Sequence, residues 1–212
     1  MFENLKISLK FGNKGVIYTK NPFDGVLAYL YVQQLKRKGE YLGENQELEL
    51  PFLKKTNGVY HTSYPIFSTS QDVVLESMSM IKAFDQKLNQ KIGNKPNSNI
   101  DIQRAWAKSF ILQYESLLID SLSFYVCGDI ALIKELLKDL THYGKKSALG
   151  YGEVKEIVIK KIDKDFSLLS ENGEPNRILP VRYFSNIQSD RIAMKRPIFP
   201  YFERQGLEPC YM

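Results

Sequence analysis

Residues 122–154 read L-S-F-Y-V-C-G-D-I-A-L-I-K-E-L-L-K-D-L-T-H-Y-G-K-K-S-A-L-G-Y-G-E-V, and this stretch decides the fold. Leu122, Phe124 and Val126 alternate with Ser123, Tyr125 and Cys127, the period-two pattern of a half-buried strand, predicted over 117–127. Gly128 and Asp129 then open a helix with Asp129 as its N-cap, and Leu132, Ile133, Leu136, Leu137 and Leu140 recur at three- and four-residue steps. Gly144 is placed to end that helix in the left-handed conformation that glycine adopts at little cost. After a glycine-rich loop, Glu153 to Ile162 is rich in β-formers.

The first forty residues carry a matching unit. Leu5, Ile7, Leu9 and Phe11 share one face of a strand, with Lys6, Ser8 and Lys10 on the other. Gly12 to Gly15 reads as a turn and Val16 to Tyr18 as a short strand. A helix follows over roughly 24–38, with Asp24 as N-cap, an apolar stripe of Val26, Leu27, Leu30 and Leu35, and a basic last turn, Lys36-Arg37-Lys38, closed by Gly39. Residues 40–100 lack a clear period. Tyr60 to Tyr64 and Ile66-Phe67 look extended, Met78 to Lys87 reads as strand or helix, and Lys91 to Asn99 reads as loop.

The predicted class is therefore α+β. The order strand, helix, extended region, strand, helix, strand is that of a ferredoxin-like (RRM-like) core. It gives a single domain over 1–212: residues 1–39 and 101–162 form the two core halves, 40–100 a long insertion after the first helix, and 163–212 a C-terminal extension ordered over the core.

Of 212 residues, 43% are hydrophobic, enough for a core and too many for wholesale disorder. No apolar run reaches the length of a membrane span and residues 1–10 hold no secretory h-region, so no membrane role is expected. Two distant cysteines, Cys127 and Cys210, suggest a reducing compartment rather than a disulfide scaffold or zinc site, which makes cytoplasm the expected location. No carboxylate cluster has metal-ligand spacing, and no metal or cofactor is expected. The net charge of +5 is modestly basic, so what matters is where the cations cluster.

They cluster in the loop 141–154. Gly144, Gly150 and Gly152 permit close backbone approach, Lys145 and Lys146 add charge, and Ser147 adds a hydroxyl, so free amides there suit a bent phosphate backbone. It is not a P-loop: it leads from helix to strand, and the G-x-x-x-x-G-K-[ST] string is absent. The alternative for the same residues is a helix-capping glycine followed by a solvated loop. Lys36 and Arg37 are either a solvated helix end or an RNA contact. Arg191, Lys195 and Arg196 interleave with Phe199, Tyr201 and Phe202 in a way that suits single-stranded nucleic acid or protein packing. Trp106 reads as a core anchor. His61 and His142 are the only histidines. His61 beside Tyr60 is a candidate acid–base pair, a polar strand residue or an RNA contact, and His142 fits a helix C-terminus.

The string G-K-K-S-A-L-G-Y-G-E-V after L-L-K-D-L-T-H-Y resembles the signature loop of the CRISPR-associated RAMP superfamily. N-P-F-D-G-V-L-A-Y at the first helix, and R-P-I-F-P-Y near the end, resemble the Cas-five-like subunit of type IV systems. The resemblance implies a ferredoxin-like fold and a subunit that holds the 5′ handle of the CRISPR RNA and caps the backbone filament. Gly144, Lys145, Lys146, Ser147, Gly150 and Gly152 carry over as RNA contacts, with Tyr151 between them. Its partners would be CRISPR RNA, a RAMP backbone subunit and a large subunit, with target DNA reached indirectly. Two other readings stay open: a metal-independent endoribonuclease using His61 with Tyr60, and an interaction protein that never touches nucleic acid.

Overall fold

The computed structural model describes residues 1–12, 15–17, 20–40, 43, 48–67, 74–82, 109–184, 187–189, 191–201, 203 and 205–212. The alternation at the N-terminus becomes strand β1 (Glu3–Phe11), with Leu5, Ile7 and Leu9 fully buried. Helix α1 (Asp24–Lys38) ends at Gly39, whose φ of 72° is the left-handed cap that the sequence predicts. The hairpin β2 (Lys55–Thr56) and β3 (Val59–Tyr60) precedes β4 (Ile66–Phe67). Two nine-residue strands, β5 (Val74–Lys82) and β6 (Phe110–Leu118), pair with each other. Then come β7 (Ser121–Gly128), α2 (Ile130–Leu137), a 3-10 turn (Ser147–Leu149) and β8 (Val154–Lys161). The last elements are β9 (Leu179–Pro180), β10 (Ile192–Lys195) and β11 (Glu208–Tyr211).

The principal sheet has the order β4-β7-β1-β8, and every neighbour is antiparallel. β1 is central: Ile7 faces Phe124 on β7 and Ile159 on β8. Leu5, Ile7, Leu9, Leu122, Phe124 and Val126 all fall on one face of this sheet, and α1 and α2 cover them with Leu27, Leu30, Ile133, Leu136 and Leu137. Each such side chain, fully removed from water, contributes about 1.5–3 kcal/mol. Phe23, just ahead of α1, stacks on Phe124 with ring centroids 4.2 Å apart. Asp129 caps α2 as predicted, accepting from the amides of Ala131 and Leu132 at 2.9 and 3.1 Å.

Several expectations are corrected. The strand predicted over 117–127 is divided: β6 ends at Leu118 and β7 begins at Ser121. α2 ends at Leu137, not at Gly144, because Lys138, Asp139 and Leu140 continue as a turn bonded back three residues. Its predicted stripe loses Leu132, which is 52% exposed. Asp24 is not an N-cap: it is the first residue of α1, and Phe23 holds the cap position without a side-chain bond. The insertion over 40–100 is narrower than expected. Leu50, Phe52, Leu53, Val59 and Tyr60 are buried in the core, and β4 is an edge strand of the principal sheet. The predicted short strand at Val16 and Ile17 consists of single bridges to Leu117 and Lys145. Tyr18, Lys91 to Asn99, Trp106 and Phe202 lie outside the described residues.

A buried polar knot joins the C-terminal segment to the core. Arg177 and Asp24 are both fully buried. The Arg177 guanidinium donates to Asp24 Oδ2 at 3.3 Å, Thr62 Oγ1 at 3.2 Å, the Pro197 carbonyl at 2.7 Å and the Tyr201 hydroxyl at 3.1 Å, and also to the Tyr60 carbonyl. Tyr201 donates in turn to Asp24 Oδ1 at 2.5 Å. With so many acceptors around it, the guanidinium stays charged despite its burial.

A second polar cluster lies under the β2–β3 hairpin. His61 is 5% exposed, with Nδ1 2.7 Å from Asp165 Oδ2 and Nε2 2.8 Å from Thr56 Oγ1. A carboxylate only accepts, so Nδ1–H donates to Asp165, and in the neutral ring Nε2 accepts from the Thr56 hydroxyl. Ser167 adds two further donors to Asp165. Burial pushes the Asp165 carboxyl up, but the hydrogen bonds from His61 and Ser167 outweigh it and hold the group well below its usual range. A depressed carboxylate stabilises the fold above its unfolded pKa, near pH 4, and that stability is lost as pH falls. Asp165→Asn should therefore cost about 2 kcal/mol at pH 7. The difference from wild type should narrow below pH 4 in denaturant titrations. A gap that stays constant with pH would show that the charge contributes nothing.

Candidate nucleic-acid interface

The loop after α2 is built by backbone interlock. Tyr143 N–H donates to the Gly152 carbonyl at 2.8 Å, and Gly152 N–H donates to the Gly15 carbonyl at 3.1 Å. Lys145 N–H donates to the Ile17 carbonyl at 2.8 Å. These bonds pin the two ends of the loop, and Lys146 (φ 63°), Gly144 (φ 93°) and Gly150 (φ 83°) then turn the chain between them in left-handed conformations. Gly144, Lys145, Ser147, Ala148 and Leu149 are exposed. Among the described residues, the amides of Gly144, Lys146, Ser147 and Ala148 have no hydrogen-bond acceptor. Lys146 Nζ lies 5.7 Å from the centroid of the Tyr114 ring on β6, so its charge is held beside an aromatic face.

Tyr151 and Gly152, also predicted as contacts, are buried. Tyr151 points into the protein, and its hydroxyl donates to Met78 Sδ on β5, so its role is to anchor the loop rather than to meet a ligand. Gly152 is required by packing: a Cβ there would lie 1.9 Å from the Tyr143 carbonyl oxygen.

Beside the loop runs an open groove of about 1360 Å³. α1 forms its wall with Tyr29, Tyr31 and Leu35; His142, Gly144 and Ser147 form one end; Phe199 and Tyr201 come from the C-terminal segment. The charged residues of the lining are largely ion-paired within the chain. Lys55 meets Glu49 at 2.8 Å, Arg196 meets Glu203, and Asp139 meets Arg37 of α1 at 2.6 Å. The lining carries four carboxylates, Glu40, Glu49, Asp139 and Glu203, against two cations, Lys55 and Arg196, so the groove is aromatic and mildly acidic. Gly144 and Ser147, whose amides have no acceptor among the described residues, lie at its glycine-rich end, and Lys145 and Lys146 stand in the same loop outside the lining. That division suits bases in the groove and phosphates at the loop.

The other predicted residues distribute unevenly. Arg37 ties the last turn of α1 to the turn entering the loop, and Lys36 is exposed beside it. Arg196 is held by Glu203 and the Gln205 carbonyl. His142 is not at a helix end; it bridges to Glu153, and Nδ1 lies 3.1 Å from Thr141 Oγ1. His61 is not available as a surface contact, because both ring nitrogens are engaged below the hairpin. The Tyr60 hydroxyl points away from it, donating to Glu49 at 2.7 Å, and burial together with that carboxylate pushes the phenol well above its usual range. Acid–base chemistry by this pair would first have to break these contacts. Arg177 is the group that sequence reasoning missed: R-I-L-P has no motif, and only the tertiary fold brings Asp24 to it.

Among the described residues, no cluster of His, Cys, Asp and Glu is arranged to hold a metal ion, and no helix is long and apolar enough to cross a membrane. Residues 3–206 match the family model of the CRISPR type IV associated protein Csf3. The chain belongs to the Csf3 family. The type IV CRISPR association expected from the loop and the first-helix segment therefore stands. No curated protein matches the chain. Among solved structures, this Csf3-family chain is similar to one in the cryo-EM structure of the Type III-B Cmr-beta bound to cognate target RNA. The identity is 10% and the TM-score 0.40, over 76% of this chain and 61% of that one. It thus spans about three fifths of the length of that relative.

Proposed function

We propose that this Csf3-family chain is an RNA-binding subunit of a RAMP-type CRISPR effector complex, gripping the 5′ handle of the guide and capping the backbone filament. One observation carries the reading: Gly144, Lys145 and Ser147 to Leu149 are exposed, and beside an aromatic groove this loop presents amides without an acceptor among the described residues, with the Lys145 and Lys146 ammonium groups in the same turn. Phosphates meet the loop, bases enter the groove beside Tyr29 and Phe199, and the handle is recognised by shape and 2′-hydroxyls as much as by base edges. The strand order β4-β7-β1-β8, with α1 and α2 on one face, supports a ferredoxin-like core in which β1, β4, β7 and β8 are the four strands. A backbone subunit and a large subunit are the protein partners of this reading, target DNA is reached through the guide, and the site of action is the cytoplasm.

The test is a salt titration of affinity for repeat-derived RNA. Lys145→Ala with Lys146→Ala should weaken binding and lower the salt slope by about two. A slope unchanged in a variant that melts like wild type would move the RNA away from this loop.

A further inference from the structure

The principal sheet has a second face. Opposite the helices, β1 presents Lys6, Ser8 and Lys10, β7 presents Ser121, Ser123 and Tyr125, and β8 presents Glu156, Val158 and Lys160; the pairing register places them in three rows. Lys6 lies between Tyr125 and Lys160, Ser8 between Ser123 and Val158, and Lys10 between Ser121 and Glu156. Among the described residues no helix packs on these rows, and Phe166 of the segment after β8 lies against Tyr125 at their edge. Lys10 and Lys160 are exposed, and Lys6, Ser8, Ser123 and Tyr125 are half-buried as side chains standing on an open sheet are.

The electrostatics differ from those of the groove. The carboxylate in these rows, Glu156, is paired with Lys10 at 2.7 Å. Lys6 and Lys160 stand side by side on adjacent strands, about 5 Å apart in the pairing direction. Two adjacent ammonium groups repel each other, and among the described residues neither has an anionic partner. The Ser8 and Ser123 hydroxyls bond each other at 2.9 Å, leaving polar capacity directed outward. At the row's edge Tyr125 is braced by Phe166, with centroids 5.3 Å apart. Lys6 and Lys10 are four residues apart on β1, so the cations span about 14 Å.

We propose that this face is a second nucleic-acid surface, taking a single strand across β7, β1 and β8 at a site apart from the glycine-rich loop. The Lys6–Lys160 pair takes phosphates, and a base stacks on the braced ring of Tyr125. Sheets of this kind bind unpaired nucleotides by aromatic stacking on the open face. With one aromatic and three lysines, this one grips the backbone more than it reads bases, so its binding is salt-sensitive and tolerant of sequence. A protein partner is the less suitable occupant, because beyond Tyr125 the apolar side chains in these rows are Val158 and, on β4, Ile66, set among three lysines.

The experiment uses the full chain and a uniform oligouridylate of about fifteen nucleotides, chosen so that handle recognition plays no part. Lys6→Gln with Lys160→Gln should lower the salt slope by about two. Photocrosslinking of a 4-thiouridine oligomer should place adducts on peptides containing Tyr125. The same measurements on the Lys145→Ala, Lys146→Ala variant separate this site from the loop: adducts at Tyr125 should persist there. Loss of those adducts in the loop variant would show one continuous site and overturn the proposal. So would an unchanged slope in the Lys6, Lys160 variant, or crosslinks confined to residues 141–154, in protein that melts normally. If the loop reading fails, the sheet variant still shows its loss of slope, so the two failures are distinguishable.

Discussion

Arg177→Met should destabilise the protein by about 3–5 kcal/mol, the largest loss expected from any one side chain. The reason is not the value of the ion pair, since a buried pair traded whole for apolar residues is often neutral. It is the residue left behind. Asp24 is fully buried, and without the guanidinium its carboxylate keeps only the Tyr201 hydroxyl among the donors described above. The carbonyls of Tyr60 and Pro197 lose their donor at the same time. For a chain of this size the loss corresponds to a fall in melting temperature on the order of 10 °C. Urea denaturation measures it, and adding Asp24→Asn to Arg177→Met should recover part of the loss by removing the orphaned charge. If the single variant loses under 1 kcal/mol, or the double variant loses the sum of both, the knot does not work as a unit.

The second large effect is at Gly152. Alanine there must adopt φ 68°, which costs about 1–2 kcal/mol. Its Cβ also collides with the Tyr143 carbonyl at 1.9 Å, so the Tyr143–Gly152 bond cannot survive. The expected total is about 3 kcal/mol, with RNA affinity falling because the loop loses its pinned end. Gly173→Ala is the control: φ is 78°, and nothing lies within 4 Å of the added methyl, so only the conformational cost of about 1 kcal/mol remains. Equal losses in the two variants would mean that the close approach at Gly152 has no energetic weight.

What the sequence revealed, it revealed through local periodicity. β1, α1, β7 and α2 each carry a repeat of two or of three to four, β8 shows as a run of β-formers, and a cap such as Asp129 or Gly39 marks a boundary physically. β4 has two residues, Ile66 and Phe67, too few to show a period, so its place at the sheet edge was not legible and its neighbourhood read as an insertion. The loop was legible because glycine and lysine are informative wherever they fall, yet Tyr151 was misread. Whether an aromatic in such a loop faces water depends on what lies beneath it, and that is β5, far away in sequence. Asp24 failed for a related reason. An aspartate at a helix start has a local use as a cap, and nothing nearby in the chain signals a buried arginine 153 residues on.

That separation sets an order of events in the cell. At roughly 5–20 residues per second, a ribosome needs about 8–30 s to travel from Asp24 to its guanidinium partner. Throughout that interval the nascent chain carries Asp24 without the cation that compensates its burial in the finished fold. Final docking of the first helix must therefore await the chain beyond Arg177, so the buried knot closes only once most of the protein has been made.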